Sequence, residues 1–565
     1  MAERRVALGL DFGTESARAV LVDVASGQEL ATAVAHYPHG VISEELPGTH
    51  VKLGDEWALQ HPSDWVQALE RVVPEVVRAA QVTPAEVVGI GVDFTSCTVL
   101  PTTPDGTPLC LANGYAAHPH AWPKLWKHHA AQPEADLINR VASERGEAFL
   151  ARYGGKISSE WLFPKALQML REAPEVYQAA ARIIEGGDWM VWYLTGHEKR
   201  SACQAGYKAL WDKQTGYPSS DFFAALDSRF GKVVSEKLST DIYPVGARAG
   251  TLRAEVAGRL GLRPGIPVGV AIIDAHSAVL GTGVAEPGKM VLVLGTSTCH
   301  MVLGPKVQAT GIAGIVEDGI VPGYVGYESG QAAVGDIFAW YVRHHLPEGL
   351  QQEAQRNGLD PYQTLEQKAA RLRPGQSGLL ALDWWNGNRS ILMDAELSGL
   401  VVGFTLASRP EEVYRALIEA TAFGTKRIID NHEEQGIPVA ELYACGGIAE
   451  KSPLLMQIYA DVTGREIRLA ASAQATALGA AIIGAMAAGK AGGGYDDFVE
   501  ATRRMARQKE IVYRPIPDHQ VVYAQLYRLY LQLHDYFGRS HTQVMKALRR
   551  LRAGGATSGQ EQTAR

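Results

Sequence analysis

The chain has 565 residues, 46% hydrophobic and 20% charged, with a formal net charge of -7. That is too long for one hydrophobic core, so about two domains of an ordinary soluble protein are expected. The acidic balance excludes a basic nucleic-acid-binding face, and the longest weakly polar run (475–488) falls short of the roughly 20 apolar residues that cross a bilayer, so neither nucleic acid nor membrane is an expected partner.

Arg4 and Arg5 precede apolar residues, but Asp11 interrupts that run too early for a signal peptide. Cys97, Cys110, Cys203, Cys299 and Cys445 are scattered without a C-x-x-C pair, so no zinc site or disulfide framework is signalled and a reducing cytoplasm fits.

Residues 6–12 and 17–24 are apolar runs around Gly13-Thr14-Glu15-Ser16, the pattern of a strand, tight turn and strand. Residues 40–60 carry no period and read as loop. Helical spacing runs over 62–80 behind a Ser63/Asp64 cap, with Pro74 expected to kink or interrupt it. A buried strand at 87–93 ends in Asp93-Phe94-Thr95-Ser96. Residues 160–195 are helical in pattern. A strand at 267–273 enters Asp274-Ala275-His276 and a Gly/Ala-rich helix. The segment 281–288 marks a domain boundary, giving domains at 1–285 and 286–550.

Beyond that boundary the opening theme returns: an apolar strand, Gly295-Thr296, and a second apolar strand. Gly13-Thr14 and Gly295-Thr296 hold equivalent places, which predicts two similarly built α/β domains whose turns converge on one cleft. A helix is expected over 411–431 and a strand over 442–445, entering Gly446-Gly447 and a helix start at Ser452-Pro453. The small residues of 475–488 predict a closely packed helix. A long helical stretch runs from Asp518, read as its cap, to Arg552. Its basic end (Lys546, Arg549, Arg550, Arg552) reads as a solvated face complementing the helix dipole, and 551–565 as a disordered tail.

Several of these features carry chemistry. A turn of glycine and hydroxyl residues offers backbone N–H groups to phosphate oxygens, and Gly13-Thr14 with Ser16 and Gly295-Thr296-Ser297 both have that composition. Asp11, at a strand end, suits a hydrated Mg²⁺, and Arg18 adds a permanent positive charge. Each turn is equally compatible with a plain hairpin; it is the pair that points to phosphate. Gly446-Gly447 permits a flat ligand to approach the backbone, or serves a strand-to-helix turn that needs positive φ. Asp274 closes a buried strand where α/β folds bind ligands, which suits a base for an alcohol or a helix N-cap. Asp93, Thr95, Ser96, Lys208 and Glu328 are polar residues in apolar surroundings and candidate sugar ligands. His128/His129 and His344/His345 read as solvated or core histidines. No G-x-x-x-x-G-K-[ST] or G-x-G-x-x-G is present, so a nucleotide site here is of neither P-loop nor Rossmann type.

The motifs G-L-D-F-G-T-E-S-x-R from residue 9, D-F-T-S-C-T-V-L-P at 93–101, I-D-A-H at 273–276, L-G-T-S-T at 294–298, W-N-G-N-R at 385–389 and A-C-G-G-I-A-E-K at 444–451 together resemble the FGGY carbohydrate kinase family. The forms around Phe12, Glu15 and D-F-T-S-C-T resemble its ribulokinase branch, and the likeness spans about residues 6–545. It implies two actin-like, ribonuclease-H-like domains with a catalytic cleft between them, ATP and Mg²⁺, and phosphorylation of the terminal hydroxyl of L-ribulose, a step of L-arabinose catabolism. Asp274 would be the base and Asp11 would place Mg²⁺. Ser96, Lys208, Asp274 and Glu328 would hold the ketopentose. Gly13, Thr14, Ser16, Arg18, Gly295, Thr296 and Ser297 would surround the phosphates, and Gly335, Gly446 and Gly447 would line the nucleotide site. A homodimer is compatible with the sequence. The alternatives are a kinase of the same family for D-ribulose, xylulose or glycerol, and an actin-like ATPase without a sugar.

Overall fold

The structure, a computed structural model, describes residues 4–552. In the first domain, strands β1 (Val6–Phe12), β2 (Ser16–Asp23), β3 (Glu29–His36), β4 (Val87–Phe94), β5 (Arg248–Thr251), β6 (Pro267–Gly269) and β7 (Ile272–Ile273) form one sheet in the order β3-β2-β1-β4-β6-β5, with β7 also beside β4. Every residue of β1 and β4 is buried, as expected for apolar strands covered on both faces. β1 runs antiparallel to β2 and parallel to β4, with Asp11 opposite Asp93. β7 runs parallel to β4 with Ile273 opposite Phe94, so Asp274 follows one residue beyond. Three strand ends thus deliver three aspartates to one edge.

The second domain repeats the plan. Strands β8 (Gly288–Leu294), β9 (Thr298–Gly304), β10 (Gly314–Glu317), β11 (Val325–Gln331), β12 (Val439–Cys445), β13 (Ile467–Ala470) and β14 (Gln508–Tyr513) form a sheet in the order β10-β11-β9-β8-β12-β13-β14. β8 is antiparallel to β9 and parallel to β12, matching β1 between β2 and β4.

The helices that place the site are α1 (Pro62–Ala79), α2 (Leu162–Glu172), α3 (Ala202–Lys208), α4 (Asp274–Gly281), α5 (Gly335–His345), α6 (Gly447–Lys451) and α7 (Ala475–Ala488). α7 comes from the second half of the chain yet packs on the first sheet. A Cβ added at Gly9 would lie 1.9 Å from the Ala477 carbonyl oxygen, and one at Gly91 would lie 1.8 Å from that of Ala480. α4 crosses α7 equally closely: a Cβ at Gly479 would lie 1.9 Å from the Ser277 carbonyl oxygen. Between β4 and β5 the chain builds a third hydrophobic cluster around Trp122, Tyr153, Trp161, Phe163 and Phe223, which the two-domain reading of the sequence did not contain.

Several local expectations are corrected. α1 begins at Pro62 with His61 as its cap, and the buried Asp64 instead accepts the His39 backbone N–H and ring nitrogen at 3.0 and 2.8 Å. Pro74 does not interrupt α1, because Leu69, Val72, Val73 and Val76 bury one face on both sides of it. The 160–195 stretch is not continuously helical: after Pro174–Ala179 it forms strand Arg182–Glu185, which pairs with Val99–Thr102. Asp518 lies in the first turn of helix Pro517–Asp535 behind an Ile516 cap, and a π turn at Tyr536–Ser540 divides the C-terminal stretch before Gln543–Arg552. There Gly538 allows close approach to Leu392, whose Cδ1 a Cβ would meet at 2.3 Å. The basic end is not wholly solvated: Lys546 pairs with Asp394 at 2.6 Å, and Arg549 donates to the Ala395 carbonyl. The expected tail from residue 553 onward lies outside the described residues. Among the described residues no helix is long and apolar enough to cross a membrane.

Candidate active site

At the edge of the first sheet the Asp11 Oδ2 atom accepts from Arg18 Nη1 at 3.0 Å and from the Thr476 hydroxyl at 2.8 Å. Asp93 is 0% exposed, and neither of its carboxylate oxygens has a hydrogen-bond partner. Burial, reinforced by the negative charges of Asp11 and Asp274, pushes the Asp93 carboxyl well above the usual carboxylate range. Asp274 is not the cap of α4, a place taken by Ile273; it opens the helix and accepts the Ala275 N–H at 2.7 Å. Burial and the Asp11 charge raise Asp274 to about 7, while Lys208 acts in the opposite direction. A buried carboxylate with two unsatisfied oxygens beside two further carboxyls fits a hard, oxygen-binding cation. Among the described residues only His39, His61 and Asp64 bring three metal-type donor atoms within 4.8 Å of one another, so the three aspartates are not drawn into a tight ligand cluster and suit an ion keeping some of its water. The histidine trio is a different feature, its two rings stacked with centroids 4.5 Å apart.

Beside Asp274 lies a buried ionic knot joining the two domains. Lys208, the last residue of α3, donates to Glu328 on β11 at 3.0 and 3.3 Å, and Arg389 donates to the same carboxylate at 2.7 Å. His276 Nε2 stands 3.5 Å away without forming a hydrogen bond. Burial alone would raise Glu328, but the Lys208 and Arg389 cations outweigh it and hold the carboxyl down at about 2. A cavity of about 480 Å³ opens here, walled by Trp126, Trp161, Lys208, Ser297, Asn388 and Arg389. Ser96 is half-buried, its hydroxyl 3.1 Å from Cys97 Sγ, and it does not line this cavity.

The two Gly-Thr turns close similarly but differ in length by one residue: Gly13 N–H donates to the Ser16 carbonyl and Gly295 N–H to that of Ser297, each at 2.9 Å. Gln60 donates to the Thr14 carbonyl at 2.8 Å and Trp126 to the Thr14 hydroxyl at 3.0 Å. Ser16 itself is buried in β2. On the other side Gly335 N–H donates to the Gly295 carbonyl at 3.1 Å, and Val334 N–H donates to that of Thr296 at 2.8 Å. Gly335 has no room for a side chain, since a Cβ would lie 2.7 Å from the Gly295 carbonyl oxygen. Gly446 adopts a φ of 98° between β12 and α6, and a Cβ there would lie 2.3 Å from the Leu294 carbonyl oxygen. A larger cavity, about 760 Å³, is walled by Gly295, Thr296, Gly335, Tyr414 and Gly447. The second turn therefore stands between two cavities, Gly295 and Thr296 facing the larger and Ser297 the smaller.

Sequence reasoning had not singled out Arg389, Trp126 or Trp161. The first lay inside the W-N-G-N-R motif without an assigned role, and nothing local distinguishes the two tryptophans from others of the chain.

Residues 6–281 match the N-terminal domain of the FGGY family of carbohydrate kinases, and residues 290–488 match its C-terminal domain. This chain belongs to the FGGY carbohydrate kinases. The two facing α/β domains expected from the motifs are the fold of this family, and as an FGGY kinase the chain takes a sugar and ATP as small-molecule partners. It is 55% identical to a ribulokinase of Halalkalibacterium halodurans over 547 residues, 97% of each chain. It is 48% identical to a ribulokinase of Mycolicibacterium smegmatis over 97% of this FGGY kinase and 96% of that one. In structure it is similar to xylulose kinase from Rhodospirillum rubrum, with a TM-score of 0.78 over 95% of this chain and 100% of that one, at 24% identity. That likeness concerns the fold alone.

Proposed function

We propose that this FGGY kinase transfers the γ-phosphoryl group of ATP to the terminal hydroxyl of L-ribulose, releasing L-ribulose 5-phosphate and ADP. The choice of sugar is supported by the identity with ribulokinases over nearly the full length of both chains. The chemistry is supported by one observation: a nucleotide-sized cavity and a sugar-sized cavity meet at Gly295-Thr296-Ser297, and the charges of Asp11, Lys208 and Glu328 all act on Asp274.

Asp274 accepts the proton as the sugar oxygen bonds to phosphorus and the bond from phosphorus to ADP breaks. Its raised pKa makes it a stronger base than an exposed carboxylate while leaving it ionised above neutrality. Ser96, Lys208 and Glu328 hold the ketopentose; the locked Glu328 carboxylate offers its remaining acceptor capacity to sugar hydroxyls without becoming protonated. Gly13, Thr14, Ser16, Gly295, Thr296 and Ser297 supply phosphate-facing backbone and hydroxyl donors, and Arg18 adds charge. Gly335, Gly446 and Gly447 let the nucleotide lie against the backbone. Asp11, with Asp93 behind it, would hold Mg²⁺, which neutralises phosphate charge when bound. Residues 1–285 thus bring Ser96, Lys208 and Asp274 to the sugar, and residues 286–550 carry the nucleotide side together with Glu328 of the sugar site, with α7 crossing between the domains. The five unpaired cysteines support a cytoplasmic location.

ADP release measured over L-ribulose, D-ribulose, xylulose and glycerol tests this reading. L-ribulose is expected to give the highest kcat/KM. ATP hydrolysis indifferent to every sugar would overturn it.

A further inference from the structure

One loop carries Trp126, which walls the sugar-side cavity, another carries Ser96, a proposed sugar ligand, and one buried ammonium ties the two loops together. Lys165, in the first turn of α2, is 0% exposed. Its Nζ donates to the carbonyl oxygens of Cys97 at 2.6 Å, Leu125 at 2.9 Å and Lys124 at 3.3 Å. An ammonium has three N–H donors, so three backbone acceptors satisfy it completely. No carboxylate touches it: Glu185 and Glu160 act only at longer range, and burial lowers its pKa to about 8. This is a costly way to hold two loops unless their geometry matters, because an ammonium is expensive to bury.

Each loop carries a residue of the site. Cys97 follows Ser96 and sits at a φ of 59°, a left-handed conformation that a non-glycine residue keeps only when its surroundings enforce it. Leu125 precedes Trp126, which walls the sugar-side cavity and donates to the Thr14 hydroxyl at 3.0 Å. Directly before α2, Trp161 walls the same cavity, with the Lys208 ammonium 5.7 Å from its ring centroid. Lys165 itself does not line that cavity.

We infer that Lys165 is a positioning residue for sugar recognition, its ammonium fixing Ser96, a proposed sugar ligand, and the Trp126 wall of the cavity relative to each other from outside the cavity. The inference rests on the reading of this cavity as the ketopentose site. The nucleotide-side cavity, built on β8, α5 and α6, is not lined by Lys165, and the Trp126–Thr14 hydrogen bond is its one link toward the phosphate turns, so the effect falls mainly on the sugar.

The test replaces Lys165 by Met, which keeps the volume of the chain and removes the three donors, and compares the KM for L-ribulose with the KM for ATP. The expected result is a rise of about tenfold or more in the sugar KM, equivalent to about 1.4 kcal/mol, with the ATP KM within about twofold of the parent. Should Lys165→Met yield no folded protein, Lys165→Arg carries the same test, because a planar guanidinium directs its donors differently and is expected to raise the sugar KM alone by about threefold. A folded variant whose sugar KM stays within about twofold of the parent, or whose two KM values rise together, overturns the inference. A parent enzyme inactive on every ketopentose would instead overturn the proposed function.

Discussion

Asp274, half-buried, and Glu328, buried, are carboxyls of one site, yet their surroundings send them in opposite directions. Asp274 faces Asp11 and rises to about 7; Glu328 faces two cations and falls to about 2. A base works only when deprotonated, so kcat/KM, which reports the free enzyme, is expected to rise with pH through an acid limb near pH 7 and then level off. A profile flat from about pH 5 to 8 would remove Asp274 from that role. For Glu328 the folded pKa lies below the unfolded one, so its stabilisation is fully present above about pH 4.5 and is lost as pH falls toward 2. Glu328→Gln leaves the buried Lys208 ammonium and the partly exposed Arg389 without their counter-charge, and the loss at Lys208 is expected to cost about 3 kcal/mol in denaturant unfolding at pH 7. Lys124 presents the opposite case, a buried ammonium with no hydrogen-bond partner, pushed down to about 7 by burial and the neighbouring Lys165 charge. Lys124→Met is expected to stabilise the protein by about 1–2 kcal/mol, read as an increase in Tm.

At the scale of elements, legibility followed how local the signal was. The β1–β2 hairpin, the strands β4 and β12, and the helix start at Ser452-Pro453 are written in short runs of apolar residues and turn formers, and they stand where the sequence placed them. The strand inside 160–195 was hidden because its apolar residues fit a helix equally well until the pairing of Arg182–Glu185 with Val99–Thr102 decides between them. Pro74 misled because the penalty of a proline inside a helix is offset here by an apolar face that no local rule counts. For α7, the small residues announced close packing but not the partner, which is a pair of glycine-bearing strands from the opposite end of the chain. That contact is testable. Gly91→Ala forces backbone to move and is expected to cost about 3 kcal/mol, whereas Gly258→Ala, where a Cβ meets nothing within 4 Å, should stabilise its helix by about 0.5–1 kcal/mol. Equal thermal shifts for the two variants would contradict the packing described.

Across the whole molecule, the repeated strand pattern brings two matching turns to one cleft, and this was readable because Gly13-Thr14 and Gly295-Thr296 recur in the same context. The ionic knot was only half readable: Lys208 and Glu328 were visible as polar residues among apolar ones, whereas Arg389 became a partner only when its loop folded against β11. The geometry supports a division in which one turn separates the nucleotide side from the acceptor side. The most direct measurement is turnover of Asp274→Asn with saturating L-ribulose and Mg-ATP, alongside the Kd for ATP. The account predicts a fall in kcat of about 10²–10⁴ with ATP affinity within about twofold of the parent. Turnover within about threefold of the parent would contradict it.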